Sequence, residues 1–117
     1  LAVSCHDYRD GLVYVDIPTH KYRLAKRAWA LGNYAKFIDN GYKRIGVECQ
    51  DNEIKVSAYV NPKGDETVIV VINPANNSKT ISFSEIKSKN IKVYETSENY
   101  DCELVDTISK TETWTIP

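Results

Sequence analysis

The chain has 117 residues, enough for one domain. A hydrophobic fraction of 42% with 26% charged residues excludes an intrinsically disordered composition. Fifteen Lys and Arg against 16 Asp and Glu leave a net charge of −1, without the basic excess of a nucleic-acid binder. The longest apolar run, Val68 to Ile72, is far short of the roughly 20 residues of a membrane-spanning helix. Neither a nucleic acid nor a membrane is expected as partner.

The first elements are short. Leu1 to Val3 is apolar, Ser4 to Gly11 is a polar loop, and Leu12 to Val15 has strand-forming residues. Asp16 to His20, with Pro18, reads as a turn. Residues 22–38 carry the one strong helical signal. Leu24, Ala28, Leu31, Ala35 and Ile38 recur at three- and four-residue spacing, and Ala25, Trp29 and Phe37 widen the stripe. Thr19 is the expected N-cap, and Asn40-Gly41 the expected stop. Gly32 inside a helix costs about 1 kcal/mol against Ala, which marks close packing on a neighbour.

Beyond Gly41 the period falls to two. Strands are expected at 44–48, 54–60, 67–73, 79–83, 91–96, 103–106 and 113–116, with turns at Asn61 to Asp65 and Asn73 to Ser78. Thr67 to Asn73 is almost wholly apolar and reads as a central strand or one buried on both faces. Short strands at this spacing predict a mainly β fold, an antiparallel β-sandwich preceded by one amphipathic α-helix. Charge is uneven. Residues 21–44 hold seven bases and one acid, and residues 98–112 hold five acids and one base. A basic helix and an acidic late segment that lie near each other, or face water separately, account for this.

Chemistry-bearing patterns are sparse. Cys5, Cys49 and Cys102 are an odd number at long spacing without a CxxC pair, so free thiols are expected, and neither a metal site nor a cofactor is. Glu48, Glu53, Glu66, Glu85, Glu95 and Glu103 fall in turns or on the solvent side of strands, unlike the paired carboxylates of a glycosidase. Adjacent Cys5 and His6 point apart and make a poor catalytic pair. No catalytic residue is assigned. Eight tyrosines raise the question of sugar binding. Tyr59 and Tyr94, on strand positions, form the candidate carbohydrate platform, while Trp29 and Trp114 are expected in the core.

Lys26-Arg27, Trp29, Leu31-Gly32 and Tyr34-Ala35-Lys36-Phe37-Ile38, followed by Gly41-Tyr42 and Arg44-Ile45, resemble the last barrel helix and its exit in family 30 glycoside hydrolases. Residues 54–58 and 67–73 are similar to that family's sandwich strands. The likeness is closest over 22–73, looser after about residue 85, and nearest to the endo-β-1,6-galactanase-like branch, with xylanase and glucosylceramidase relatives sharing the helix. It implies a piece of a longer, secreted or cell-surface retaining hydrolase acting on plant-type polysaccharide. Residues 1–41 would close the last barrel strand, its loop and the last barrel helix, and 42–117 would form the sandwich. Both catalytic glutamates of such enzymes lie on earlier strands, so the chain itself is expected to be inactive. Ser4, His6, Asp7 and Tyr8 would lie near substrate at the barrel mouth. The resemblance implies the missing (β/α) barrel as partner, and polysaccharide as a further one. Without the barrel, Leu24, Ala28, Trp29, Leu31 and Ala35 are expected to pack on the sandwich or on a second copy. The rival readings are a free-standing carbohydrate-binding module and an adhesion or scaffolding sandwich.

Overall fold

The computed structural model describes residues 11–109 and 111–117. Ser4, Cys5, His6, Asp7 and Tyr8, and Lys110 of the acidic segment, lie outside them. The described chain is a helix among antiparallel strands, as the alternating pattern predicts. Strands β1 (Val13–Asp16) and β2 (Lys21–Leu24) form a hairpin, and α1 (Lys26–Ala35) follows at once. Then come β3 (Lys43–Ile45), β4 (Lys55–Val60), β5 (Thr67–Ile72), β6 (Lys79–Ser82), β7 (Asn90–Thr96), β8 (Asp101–Ser109) and β9 (Thr113–Ile116). The sheets run β3-β4-β5, β6-β9 and β7-β8.

The helix is shorter than the periodicity predicts. Residues 21–24 pair with β1, Val13 opposite Leu24 and Val15 opposite Tyr22, so the apolar spacing through Leu24 belongs to a strand. The backbone there has a cross-strand partner, which outweighs local helical preference. Thr19 accordingly caps no helix. It sits in the hairpin turn, its hydroxyl donating to the Asp16 carboxylate, and Ala25 precedes α1 without a side-chain cap. Gly41 lies instead in the turn closed by Tyr42 N–H on Asp39 C=O (3.2 Å). Its φ of +94° favours glycine, and a Cβ there would stand 3.0 Å from Pro62 Cγ, closer than ordinary contact.

A second expectation fails at β5. Thr67–Ile72 pairs only with β4, so among the described residues it is an edge strand, and Ile72 is exposed. Val70 alone on β5 is buried. The core is thin: Ala25, Ile54, Ala58, Val70, Cys102 and Ile108. Trp29 and Trp114, expected inside, are half-buried.

The β7-β8 ladder carries two register shifts, one of which leaves Cys102 between the pairs Glu95–Glu103 and Thr96–Asp101. Cys102 adopts φ +58° there and lies 3% exposed beneath α1. A Cβ on Gly32 would stand 3.9 Å from the Cys102 sulfur, so the close packing predicted for this glycine is met by β8.

Candidate functional site

The best-built constellation is the seam where α1 docks on β7 and β8. Lys26 and Lys36 lie at its two ends. Lys26 Nζ donates to Asp101 Oδ1 at 2.5 Å and to the carbonyls of Glu98 and Tyr100 at 3.4 and 3.3 Å. The basic helix and the acidic late segment therefore meet here. Asn33 Nδ2 donates to Trp29 C=O (3.1 Å), Ala30 C=O (3.3 Å) and Thr96 Oγ1 (2.8 Å), joining helix to strand. Lys36 Nζ donates to Cys102 C=O at 3.2 Å and lies 4.9 Å from the Tyr94 ring centre. Cation–π attraction adds to the hydrogen bond there.

The helix thus docks through residues other than the expected stripe. Leu24, Leu31 and Ala35 are exposed, and Ala28 and Trp29 half-buried. Lysines and an asparagine make the polar part of the joint, on carbonyls and side-chain oxygens of the β7–β8 hairpin, while the buried Cys102 side chain beneath Gly32 makes the apolar part.

The two candidate platform tyrosines lie against the segment that carries α1. Tyr94 packs on Phe37 with ring centres 4.5 Å apart, and Tyr59 meets Tyr34 edge-on at 6.3 Å. Both are half-buried. The barrel-mouth candidates Ser4, His6, Asp7 and Tyr8 fall outside the described residues.

Two polar ties brace the sheets. Lys79 on β6 bonds Asp51 (2.9 Å) and Glu53 (2.6 Å) of the β3–β4 connection. The Lys79 hydrogen bond holds the Asp51 carboxyl below its ordinary range, and the two carboxylates raise Lys79. Tyr42 donates to Glu66 at 2.6 Å, and that acceptor pushes its phenol up to about 12. Cys49 is exposed and free, and Cys102 is buried and free. Among the described residues no group of three or more His, Cys, Asp and Glu is arranged to hold a metal.

Two shallow clefts lie among the described residues. One opens where β3 leaves β4 and has a volume of about 410 Å³ between Arg44, Gly46, Val56 and Ser57. The buried Ser57 hydroxyl there has no hydrogen-bond partner. The other, about 470 Å³, lies at the β8–β9 end beside Trp114 and Asp106.

Residues 41–104 match the family model described as the glycosyl hydrolase family 30 beta sandwich domain. The chain belongs to this family. A solved structure similar to it is that of a GH30 endoxylanase from Clostridium papyrosolvens C71. The TM-score is 0.67 at 29% identity, over 80% of this chain and 25% of that one. The chain therefore spans about a quarter of the length of that endoxylanase. Its β-sandwich is the glycoside hydrolase family 30 sandwich, and the resemblance carried by Trp29 to Ile45 pointed to the right family.

Proposed function

We propose that this chain is the non-catalytic C-terminal part of a secreted, retaining glycoside hydrolase that degrades plant-type polysaccharide such as xylan or β-1,6-galactan. In this reading residues 1–41 finish the catalytic barrel and residues 42–117 form the sandwich that buttresses it. Ser4, His6, Asp7 and Tyr8 then lie near the substrate.

The observation that carries the reading is the apolar surface left uncovered on the hairpin and on α1. Val15 and Tyr22 face each other across the hairpin and are 55% and 73% exposed, and Leu31 on the helix is 51% exposed.

The test compares the 117-residue chain with the polypeptide extended upstream of Leu1. Hydrogen exchange over residues 12–31 should slow in the longer protein, and only that protein should hydrolyse xylan or galactan. Turnover by the short chain, or equal exchange in both, would overturn the proposal.

A further inference from the structure

The chain holds nine asparagines, and Asn40 is the one followed by glycine. The pair lies on the connection between α1 and β3, in the turn that Tyr42 N–H closes on Asp39 C=O at 3.2 Å. Asn40 has a negative φ and Gly41 a φ of +94°, the order of signs in a type II turn. The left-handed φ favours glycine at position 41. Asn40 and Gly41 are both exposed. Tyr42 makes the hydrogen bond of the turn, and among the described residues the Gly41 N–H makes no backbone bond.

An asparagine side-chain carbonyl carbon can be attacked by the nitrogen of the following peptide. A side chain on the following residue hinders that approach, and glycine has none. Water reaches both partners here, and a turn held by one hydrogen bond lets the Asn40 side chain swing over the Gly41 nitrogen. The other asparagines are protected. Asn61 and Asn73 precede proline, whose nitrogen carries no hydrogen to lose. Asn33 is held in α1, its amide donating to Trp29 C=O, Ala30 C=O and Thr96 Oγ1. The rest precede residues that carry side chains.

We propose that Asn40-Gly41 is a self-modification site, where the Gly41 nitrogen displaces the Asn40 amide and the link between α1 and β3 is rebuilt as an isoaspartyl bond. Gly41 N–H loses its proton to base, the N–Cγ bond forms, and the Cγ–Nδ2 bond breaks. The departing nitrogen takes up a proton and leaves as ammonia. Water then opens the succinimide ring. Opening at Cγ gives aspartate, and opening at the main-chain carbonyl gives isoaspartate, whose main chain runs through the side-chain methylene. The balance is one water gained and one ammonia lost, with nothing oxidised or reduced. Both products add a negative charge beside Asp39, and the isoaspartyl form also lengthens the main chain by one methylene. Tyr42 lies two residues on, its hydroxyl donating to Glu66 at 2.6 Å. The longer link carries that hydroxyl away from its acceptor. The site depends on the turn alone, whatever protein the chain serves.

The experiment incubates the 117-residue chain at mildly alkaline pH and digests it with trypsin, which releases Phe37 to Lys43 as one peptide. That peptide should gain the mass of one deamidation before any other asparagine-containing peptide does. Isoaspartyl methyltransferase labelling should show more isoaspartate than aspartate in it. Asn40→Gln should keep its mass over the same interval. The isoaspartyl protein should lose the late tyrosine titration that the Glu66 acceptor gives Tyr42. Asn40→Asp, which adds the charge without the methylene, should keep it. No conversion at Asn40, earlier conversion at another asparagine, or a late tyrosine that persists in the isoaspartyl protein would each overturn the proposal.

Discussion

Helix α1 has two sides of opposite chemistry. The side against β7 and β8 presents Lys26, Asn33 and Lys36, each hydrogen-bonded to the strands. The other presents Leu31 to water, beside the exposed Tyr22 and Leu24 of the hairpin. In a helix at the surface of a finished domain the apolar side faces the core. Here the polar side is occupied and the apolar one is free. The contrast teaches what each side is for. The polar contacts fix direction, because hydrogen bonds to named carbonyls admit one register. In the proposed reading the apolar side is the one that packs on the catalytic barrel.

Substitutions on the two sides should therefore behave differently. The largest effect is expected at the docked side. Gly32→Leu would drive a side chain into Cys102, and overpacking of this kind costs about 1–3 kcal/mol in urea denaturation. Gly32→Ala would place its Cβ at ordinary contact distance, 3.9 Å, and gain helix propensity, so its midpoint should rise. If both variants destabilise alike, the seam is tighter than the geometry indicates. Next, Asn33→Ala removes the bond to Thr96 and should cost about 1 kcal/mol in the same assay. Leu31→Glu, on the open side, should change the stability of the 117-residue chain by no more than about 0.5 kcal/mol. In the upstream-extended protein the same substitution should impair assembly, read as faster exchange over residues 12–31. Equal effects in the two proteins would remove the distinction between the sides.

The smallest effect is a titration within the sandwich. Tyr42 is raised from 10.0 to about 12 by its bond to Glu66. A raised acid contributes stability that is full below the unfolded value and lost as pH climbs through the folded one. The bond should therefore weaken between about pH 10 and 12. A phenolate absorbance titration should show one late tyrosine that returns towards the ordinary value in Glu66→Gln. Asp51, lowered by Lys79, works in the opposite direction, its contribution being lost as acid takes pH below the ordinary carboxylate range.

Much of the strand plan could be read from two-residue alternation, since 54–60, 79–83 and 113–116 recur within a residue or two as β4, β6 and β9. The failures have physical causes. Tyr22 to Leu24 satisfy a helical spacing and a cross-strand pairing equally well, and only the partner strand decides. Strand β8 runs from Asp101 to Ser109, well beyond the expected 103–106, because its exposed Glu103, Asp106 and Thr107 hide the alternation. The docking seam was illegible for another reason. Lys26, Asn33 and Lys36 look like solvent-facing polar residues until the carbonyls of β8 are placed beside them. Trp114, on an alternating strand, reads as core from sequence and is half-buried, because a cleft formed by a turn leaves no mark in local sequence.

Cys102 offers one more consequence. Its sulfur is sealed beneath Gly32 while Cys49 stays open to solvent. A bulky thiol reagent can reach the sealed sulfur only when the helix lifts away, whereas the open one reacts at once. The ratio of the alkylation rates at Cys102 and Cys49, read site by site because the chain also carries Cys5, is therefore a built-in gauge of helix undocking.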